Sequence, residues 1–178
     1  MPPPAITNRR DPPASGEAFT PLLSTDYTNT DSGAPRPDVI GNAYNFSNAV
    51  SVGCPADKQT IECWYNPAAY AIPSLAPGQS FAHDYGDARR GSLRGPAIYN
   101  VDASLFKDFP FKENWKLQFR LEAFNLFNTP EFGIPNDGVD QIGSSPTSAA
   151  GFVPSLAGSI AGTVHASREL QLALKLSF

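Results

Sequence analysis

Three stretches in the second half of the chain alternate apolar and polar residues at every second position. They span residues 99–109, 115–128 and 168–178. The apolar positions of the last stretch are Leu170, Leu172, Leu174, Leu176 and Phe178. Alternation with a period of two is produced by a β-strand that has one apolar and one polar face. The pattern therefore predicts three strands over these ranges.

The polar faces of the predicted strands carry charged side chains, and two architectures can accommodate them. These side chains are Asp102, Lys116, Arg120, Glu122, Glu169 and Lys175. In a soluble β-sandwich they face water while the apolar face meets a second sheet. In a membrane barrel they face the lumen while the apolar face meets lipid. Length favours the barrel, because each run approaches the ~9–11 residues of a membrane-spanning strand, whereas globular strands usually have roughly 5–6.

The connections between the predicted strands differ in length. Residues 110–114 form a short polar turn, whereas residues 129–167 form a long segment rich in Gly, Ser and Pro. Outer-membrane barrels have short periplasmic turns and longer extracellular loops. With the short turn on the periplasmic side, Phe109, Trp115 and Phe178 lie near that interface. There they would belong to an aromatic girdle.

Residues 1–98 have a different composition. Many of the chain's 18 prolines fall here, among Asn, Asp, Ser and Gly. Because proline donates no backbone hydrogen bond and restricts the residue before it, long helices and central strands are disfavoured. We expect a region that resembles extracellular loops, with short extended segments. Such a region is a poor source of the second sheet that a sandwich requires.

Composition excludes several function classes. The net charge of −4 disfavours nucleic acid as a partner, since phosphate binding requires clustered Lys and Arg. No catalytic or phosphate-binding motif is present, so neither enzymatic activity nor a cofactor is expected. Residues 1–10 also lack the apolar core of a signal peptide.

Cys54 and Cys63 are the only cysteines. In a periplasmic or extracellular loop, a disulfide is the expected state and would stabilise the fold by roughly 2–3 kcal/mol. A metal site is disfavoured, because two thiols without nearby His lack the usual four ligands. Free thiols are expected if the chain stays in the cytosol.

Several segments together resemble the C-terminal end of TonB-dependent outer-membrane receptors. The similarity is to the Oar-like group, which has an upstream carboxypeptidase-regulatory-like domain. The segments are Cys63–Tyr70, Ser92–Pro96, Asn100–Phe109, Leu117–Asn128 and Arg168–Phe178. The resemblance implies an all-β fold: an incomplete antiparallel transmembrane β-barrel of three or four terminal strands with long Pro/Gly-rich loops.

The same resemblance implies a function and a set of partners. The parent protein would take up a nutrient across the cell outer membrane with energy delivered by TonB. Partners of this chain would be outer-membrane lipid, the plug and remaining barrel strands, and the barrel-assembly machinery. That machinery would recognise the terminal pattern from Leu170 to Phe178. The chain by itself would not transport, since the smallest barrels have about eight strands.

Overall fold

The chain folds into short and long strands joined by irregular segments. The computed structural model describes residues 16–29, 34–74, 77–78, 85–112, 115–143 and 154–178. Its strands are β1 (Ala18–Phe19), β2 (Asp38–Val39), β3 (Tyr70–Ala71), β4 (Leu93–Arg94), β5 (Ala103–Lys112), β6 (Trp115–Phe124) and β7 (Glu169–Ser177). Two short 3-10 helices, Ala49–Val52 and Pro67–Ala69, are the helical segments among the described residues. The fold is all-β, and the barrel is not closed.

The three long strands form an antiparallel sheet in the order β5–β6–β7. Its register places most of the apolar positions of the three strands opposite one another. Leu105 lies opposite Leu121, which in turn lies opposite Leu172. Because side chains alternate between faces along each strand, this register places the apolar positions of all three strands on one face.

Strand β5 differs from its predicted range of 99–109. It begins at Ala103 and continues through Lys112, so residues 110–112 belong to the strand and not to the turn. Pro110 is tolerated because the pairing of β5 with β6 shifts register between Pro110 and Lys112. An edge position or a bulge is where a strand can accommodate the missing amide donor.

Strand β6 ends at Phe124, four residues before the predicted end at Asn128. The physical reason is local: Asn125 and Asn128 both adopt left-handed backbone conformations, with φ of 50° and 52°. The Asn125 side-chain oxygen accepts a hydrogen bond from Thr129 N at 2.9 Å. Asparagine tolerates this region better than most residues and forms such turns with its side chain.

The irregular part of the chain has its own packed core. Phe19, Leu23, Tyr65, Leu93 and Val139 form a buried cluster. Two pairs of two-residue strands, β1 with β4 and β2 with β3, bring distant segments together around it. The sandwich alternative required a long second sheet from residues 1–98, and the described residues there contain only these short pairs.

The long connection after β6 packs against this irregular region. Leu22 N donates to Asp137 O, and Val139 N donates to Leu22 O, each at 2.9 Å. Further along, Trp64 N donates to Gly158 O at 2.8 Å. Gly158 has a φ of 75°, which favours glycine. Packing therefore crosses residue 98 and joins the final long loop to the N-terminal half.

Candidate membrane-facing sheet and C-terminal signal

The apolar face of the sheet consists of four rows that run across the three long strands. The rows are Ala103–Ala123–Leu170, Leu105–Leu121–Leu172, Lys107–Phe119–Leu174 and Phe109–Leu117–Leu176. Lys107 is the single charged residue among them. Its long apolar stem can lie along the face while the ammonium group reaches a polar boundary.

This face has no protein layer over it in the described part of the chain. Leu170, Leu172 and Leu174 remain 65%, 66% and 65% exposed, and Leu105 remains 62% exposed. A contiguous apolar surface of this kind is unusual on a soluble protein and is typical of a surface that contacts protein or lipid.

The opposite face carries the charged residues predicted to line the lumen. Glu122 pairs with Gln171, Arg120 with Ala173, and Lys116 with Ser177, so their side chains share the face that also carries Glu169 and Lys175. Arg120 forms an ion pair with Glu122, and Gln118 donates to Asp108 at 2.9 Å. The face can therefore satisfy its own polar groups in contact with water.

Asp102 differs from the other predicted lumen-facing residues because it lies just before β5. Its carboxylate accepts a hydrogen bond from Asn125 N at 2.9 Å. The neighbouring Leu126 N donates to Val101 O at 2.8 Å. Asp102 thus holds the end of β6 against the start of β5, a role that the alternation pattern did not reveal.

Aromatic rings cluster at the other end of the sheet. The Trp115 ring lies 5.5 Å from the Phe178 ring and 6.1 Å from the Phe111 ring, measured between centroids. Phe109, the third predicted girdle residue, lies on the apolar face opposite Leu117. Phe111 was missed because it was assigned to the turn, although an aromatic residue near the end of a strand was a usable signal.

Cys54 and Cys63 are joined by a disulfide. Both are fully buried and pack with Phe46 and Ala49 in a second small core. The bond links the segment after the first 3-10 helix to the segment that contains Tyr65.

His83 and His165 are the remaining candidate metal ligands. His83 lies outside the described residues, and His165 contacts Glu131. No group of three or more His, Cys, Asp or Glu side chains in the described ranges is arranged to hold a metal ion. Also within these ranges, no helix combines the length and apolar character that crossing a membrane requires.

Two tyrosines in the irregular region, the buried Tyr65 and the half-buried Tyr70, have raised pKa values. Burial is the main cause of the raised pKa of Tyr65, and the nearby Tyr70 adds to it. Burial likewise raises the pKa of Tyr70, while a hydrogen bond with Ser92 partly offsets the shift. The Tyr65 hydroxyl donates to Asn136 O at 3.0 Å. Because only the neutral hydroxyl can donate, the folded structure favours the neutral form of Tyr65.

A known protein family matches most of the chain. The model of the outer membrane beta barrel domain matches residues 13–171. Comparison with curated proteins and with solved structures found no match. The matched range includes β5, β6 and most of the predicted loops, and it agrees with a sheet whose apolar face is uncovered. The chain therefore belongs to the outer membrane β-barrel domain family, and membership indicates an outer-membrane protein.

Proposed function

We propose that this chain supplies the last three strands and the associated extracellular loops of a TonB-dependent receptor for nutrient uptake. The observation that carries the proposal is the apolar face of β5, β6 and β7, which ends at the Trp115–Phe178 contact. Family membership supports the barrel, and the segments resembling receptor C-termini support the receptor type. In this assignment the parent protein transports, and this chain forms part of its wall.

The proposed orientation follows from the two ends of the sheet. The aromatic end lies beside the short β5–β6 connection, which we assign to the periplasmic interface. The opposite end leads through Asn125 and Asn128 into the packed irregular region, which we assign to the outside of the cell. Lipid would cover the leucine face, and the plug and lumen water would contact the charged face.

The remaining partners follow from the free edges of the sheet. Strands β5 and β7 are both edge strands, and each has one side without a ladder partner among the described residues. Exposed edges are normally paired or covered. We propose that β5 pairs with the preceding strand of the parent barrel and that β7 pairs with the first strand of that barrel. The barrel-assembly machinery would recognise β7 by strand addition before the barrel closes.

Cysteine labelling can test which face meets lipid. The two native cysteines of this chain are joined to each other, so neither competes with a cysteine added to β7 in the parent receptor. We expect Leu172→Cys and Leu174→Cys to resist a water-soluble maleimide and to react with a lipid-soluble one. Ala173→Cys and Lys175→Cys, their neighbours on the same strand, are matched controls that should react with the water-soluble reagent.

The two parts of the proposal can fail separately. Equal water-soluble labelling at all four positions would refute the lipid-facing assignment. If the labelling alternates but uptake by the parent protein is unchanged when TonB is removed, the barrel assignment stands and the TonB-dependent assignment falls.

A further inference from the structure

A groove on the irregular region is lined by polar side chains that no part of the proposed barrel uses. We use this name for two cavities of about 350 Å³ each, which share Gly41 and Asn42 in their lining. Tyr44, Tyr70 and Arg89 line one of them, and Asn45 and Asn48 line the other. Volumes in this range accommodate small ligands. We propose that this groove binds an acidic saccharide. The inference rests on the proposed function only in that it places the groove outside the cell.

Three asparagines make the groove rich in hydrogen-bond donors. The side-chain oxygens of Asn42, Asn45 and Asn48 accept from Tyr44 N, Ser47 N and Asn66 Nδ2, respectively. Their amide nitrogens have no partner in the described part of the chain. Since a carboxamide nitrogen can only donate, the groove offers several N–H groups to a ligand that carries acceptor oxygens.

The wall that carries these asparagines is held in place by a buried residue. Asn66 is 2% exposed, and its amide donates to Asn45 O at 2.6 Å and to Asn48 Oδ1 at 2.7 Å. Its own oxygen accepts from Ala68 N at 3.0 Å. The donors are therefore pre-oriented, which reduces the conformational entropy lost on binding.

Two half-buried tyrosines line the same groove. The Tyr44 hydroxyl accepts from Arg94 N at 3.0 Å, and Tyr70 is hydrogen-bonded to Ser92. Because the hydroxyls are held in this way, the rings have restricted orientations. An aromatic ring offers an apolar surface beside its polar end, which suits the mixed C–H and O–H surface of a sugar.

Arg89 gives the groove a cationic group that can bind an acidic ligand. Arg89 lines the groove and has no ion-pair partner in the described ranges, while Asp87 uses one oxygen to accept from Val39 N at 2.8 Å. Asp87 and Arg89 are the charged residues among those that line the groove. A sugar carboxylate or phosphate would gain charge-assisted hydrogen bonds there.

Two sources could supply an acidic saccharide outside a bacterial cell. One is a free acidic oligosaccharide, and the other is the acidic sugar core of lipopolysaccharide in the same membrane. The probes are therefore a tetragalacturonate, a delipidated lipopolysaccharide core oligosaccharide and the neutral maltotetraose. Calorimetric titration of the full chain in detergent micelles measures binding. Near-ultraviolet circular dichroism first verifies that the loop core around the buried Tyr65 is folded.

The test variants convert donors into acceptors without disturbing the fold. Asn42→Asp and Asn45→Asp each keep the oxygen that accepts the local backbone N–H and replace the free amide with a second oxygen. Asn128→Asp is the matched control, because its oxygen also accepts a backbone N–H, from Arg168, outside the groove. Arg89→Gln is paired with Arg90→Gln, whose side chain does not line the groove.

We expect at least one acidic probe to bind and maltotetraose to bind more weakly by about tenfold or more. The N42D/N45D double variant and R89Q should each weaken binding by about tenfold or more, as expected for lost charge-assisted bonds. N128D and R90Q should bind as the unaltered chain does. Binding of only the core oligosaccharide identifies the membrane lipid as the source, and binding of only the tetragalacturonate identifies a free saccharide.

Three results would overturn the proposal. They are a folded chain that binds neither acidic probe, equal binding of maltotetraose, and unchanged binding by N42D/N45D. None of them alters the labelling pattern of β7 or the TonB dependence of uptake. A result that refutes saccharide binding by the groove can therefore be distinguished from one that refutes the proposed function.

Discussion

The buried carboxylate of Glu131 contacts Nδ1 of the exposed imidazole of His165. The Glu131 side chain is 1% exposed, whereas the His165 side chain is 57% exposed. Neither Glu131 oxygen receives a hydrogen bond from elsewhere in the described part of the chain. The contact lies where the long loop returns toward β7, next to the Val164 N to Glu131 O hydrogen bond of 2.7 Å.

Removing the imidazole leaves a buried carboxylate without a polar contact. His165→Ala should therefore lower the free energy of unfolding by about 1–3 kcal/mol. Adding Glu131→Gln should restore part of the loss, because an amide is less costly to bury than a charge. Denaturant titration of the chain in micelles measures both effects, with the exposed Glu169→Gln as a control. If H165A is as stable as the unaltered chain, the contact does not stabilise the loop.

The disulfide should stabilise the irregular region. Replacing Cys54 and Cys63 together with serine should lower the free energy of unfolding by roughly 2–3 kcal/mol, because it removes a constraint on the unfolded chain. The measurement is denaturant unfolding with and without a reductant. The reductant should reduce the stability of the unaltered chain and leave the double variant unchanged. A reductant effect of equal size in both would point to another cause.

Burial of Tyr65 should make the irregular region sensitive to alkali. Its pKa is raised in the folded state from the ordinary value of 10.0, so the neutral form is favoured by folding. The contribution is fully present below pH about 10 and is lost as the pH rises toward the higher folded pKa. Tyrosinate absorbance and denaturant unfolding should show stability falling above that pH.

Tyr65→Phe should reduce this alkaline loss. At neutral pH the variant should be less stable by about 0.5–1.5 kcal/mol, because the hydrogen bond to Asn136 O is gone. The difference from the unaltered chain should then narrow above pH about 10. Tyr99→Phe is the control, because Tyr99 is 64% exposed. A constant difference across the pH range would contradict a role for Tyr65 ionisation.

A charge on the leucine face should obstruct membrane assembly. Leu172→Arg places a guanidinium where we expect lipid and should cost about 2–4 kcal/mol near the middle of the bilayer. Ala173→Arg adds the same charge to the opposite face and should have little effect. The readout is the fraction of parent receptor in outer membranes with the heat-dependent gel mobility of a folded barrel. Equal assembly of both variants would contradict the assignment of faces.

The Phe178 ring should contribute to assembly of the barrel and contribute little to the stability of the packed loops. Phe178 is 86% exposed and contacts Trp115, so Phe178→Ala removes little buried surface. We expect this variant to accumulate less folded barrel, whereas Phe178→Tyr should assemble normally. Phe127→Ala is the control for an exposed aromatic at the other end of β6. Unchanged assembly of F178A would remove the basis for a C-terminal recognition signal.

Part of the difference between sequence and structure comes from local backbone effects. Pro110 argued for a turn, yet the register shift between Pro110 and Lys112 allows a residue without an amide donor to remain in the strand. Asn125 stops β6 four residues early, because its left-handed conformation and side-chain hydrogen bond close a turn at that point. Periodicity predicts which face of a strand a side chain occupies. It does not locate strand ends well, because local backbone geometry determines where a strand stops.

The sequence by itself determined the all-β character, the two faces of the sheet and the terminal apolar pattern, because alternation has a direct geometric meaning in a strand. Only the tertiary structure decided that residues 16–29, 34–74 and 85–98 pack with the described parts of the long loop around Tyr65. The groove lined by Asn42, Asn45 and Arg89 also could not be predicted from the sequence. Such features depend on contacts between irregular segments far apart in the chain, and those contacts leave no periodic signal.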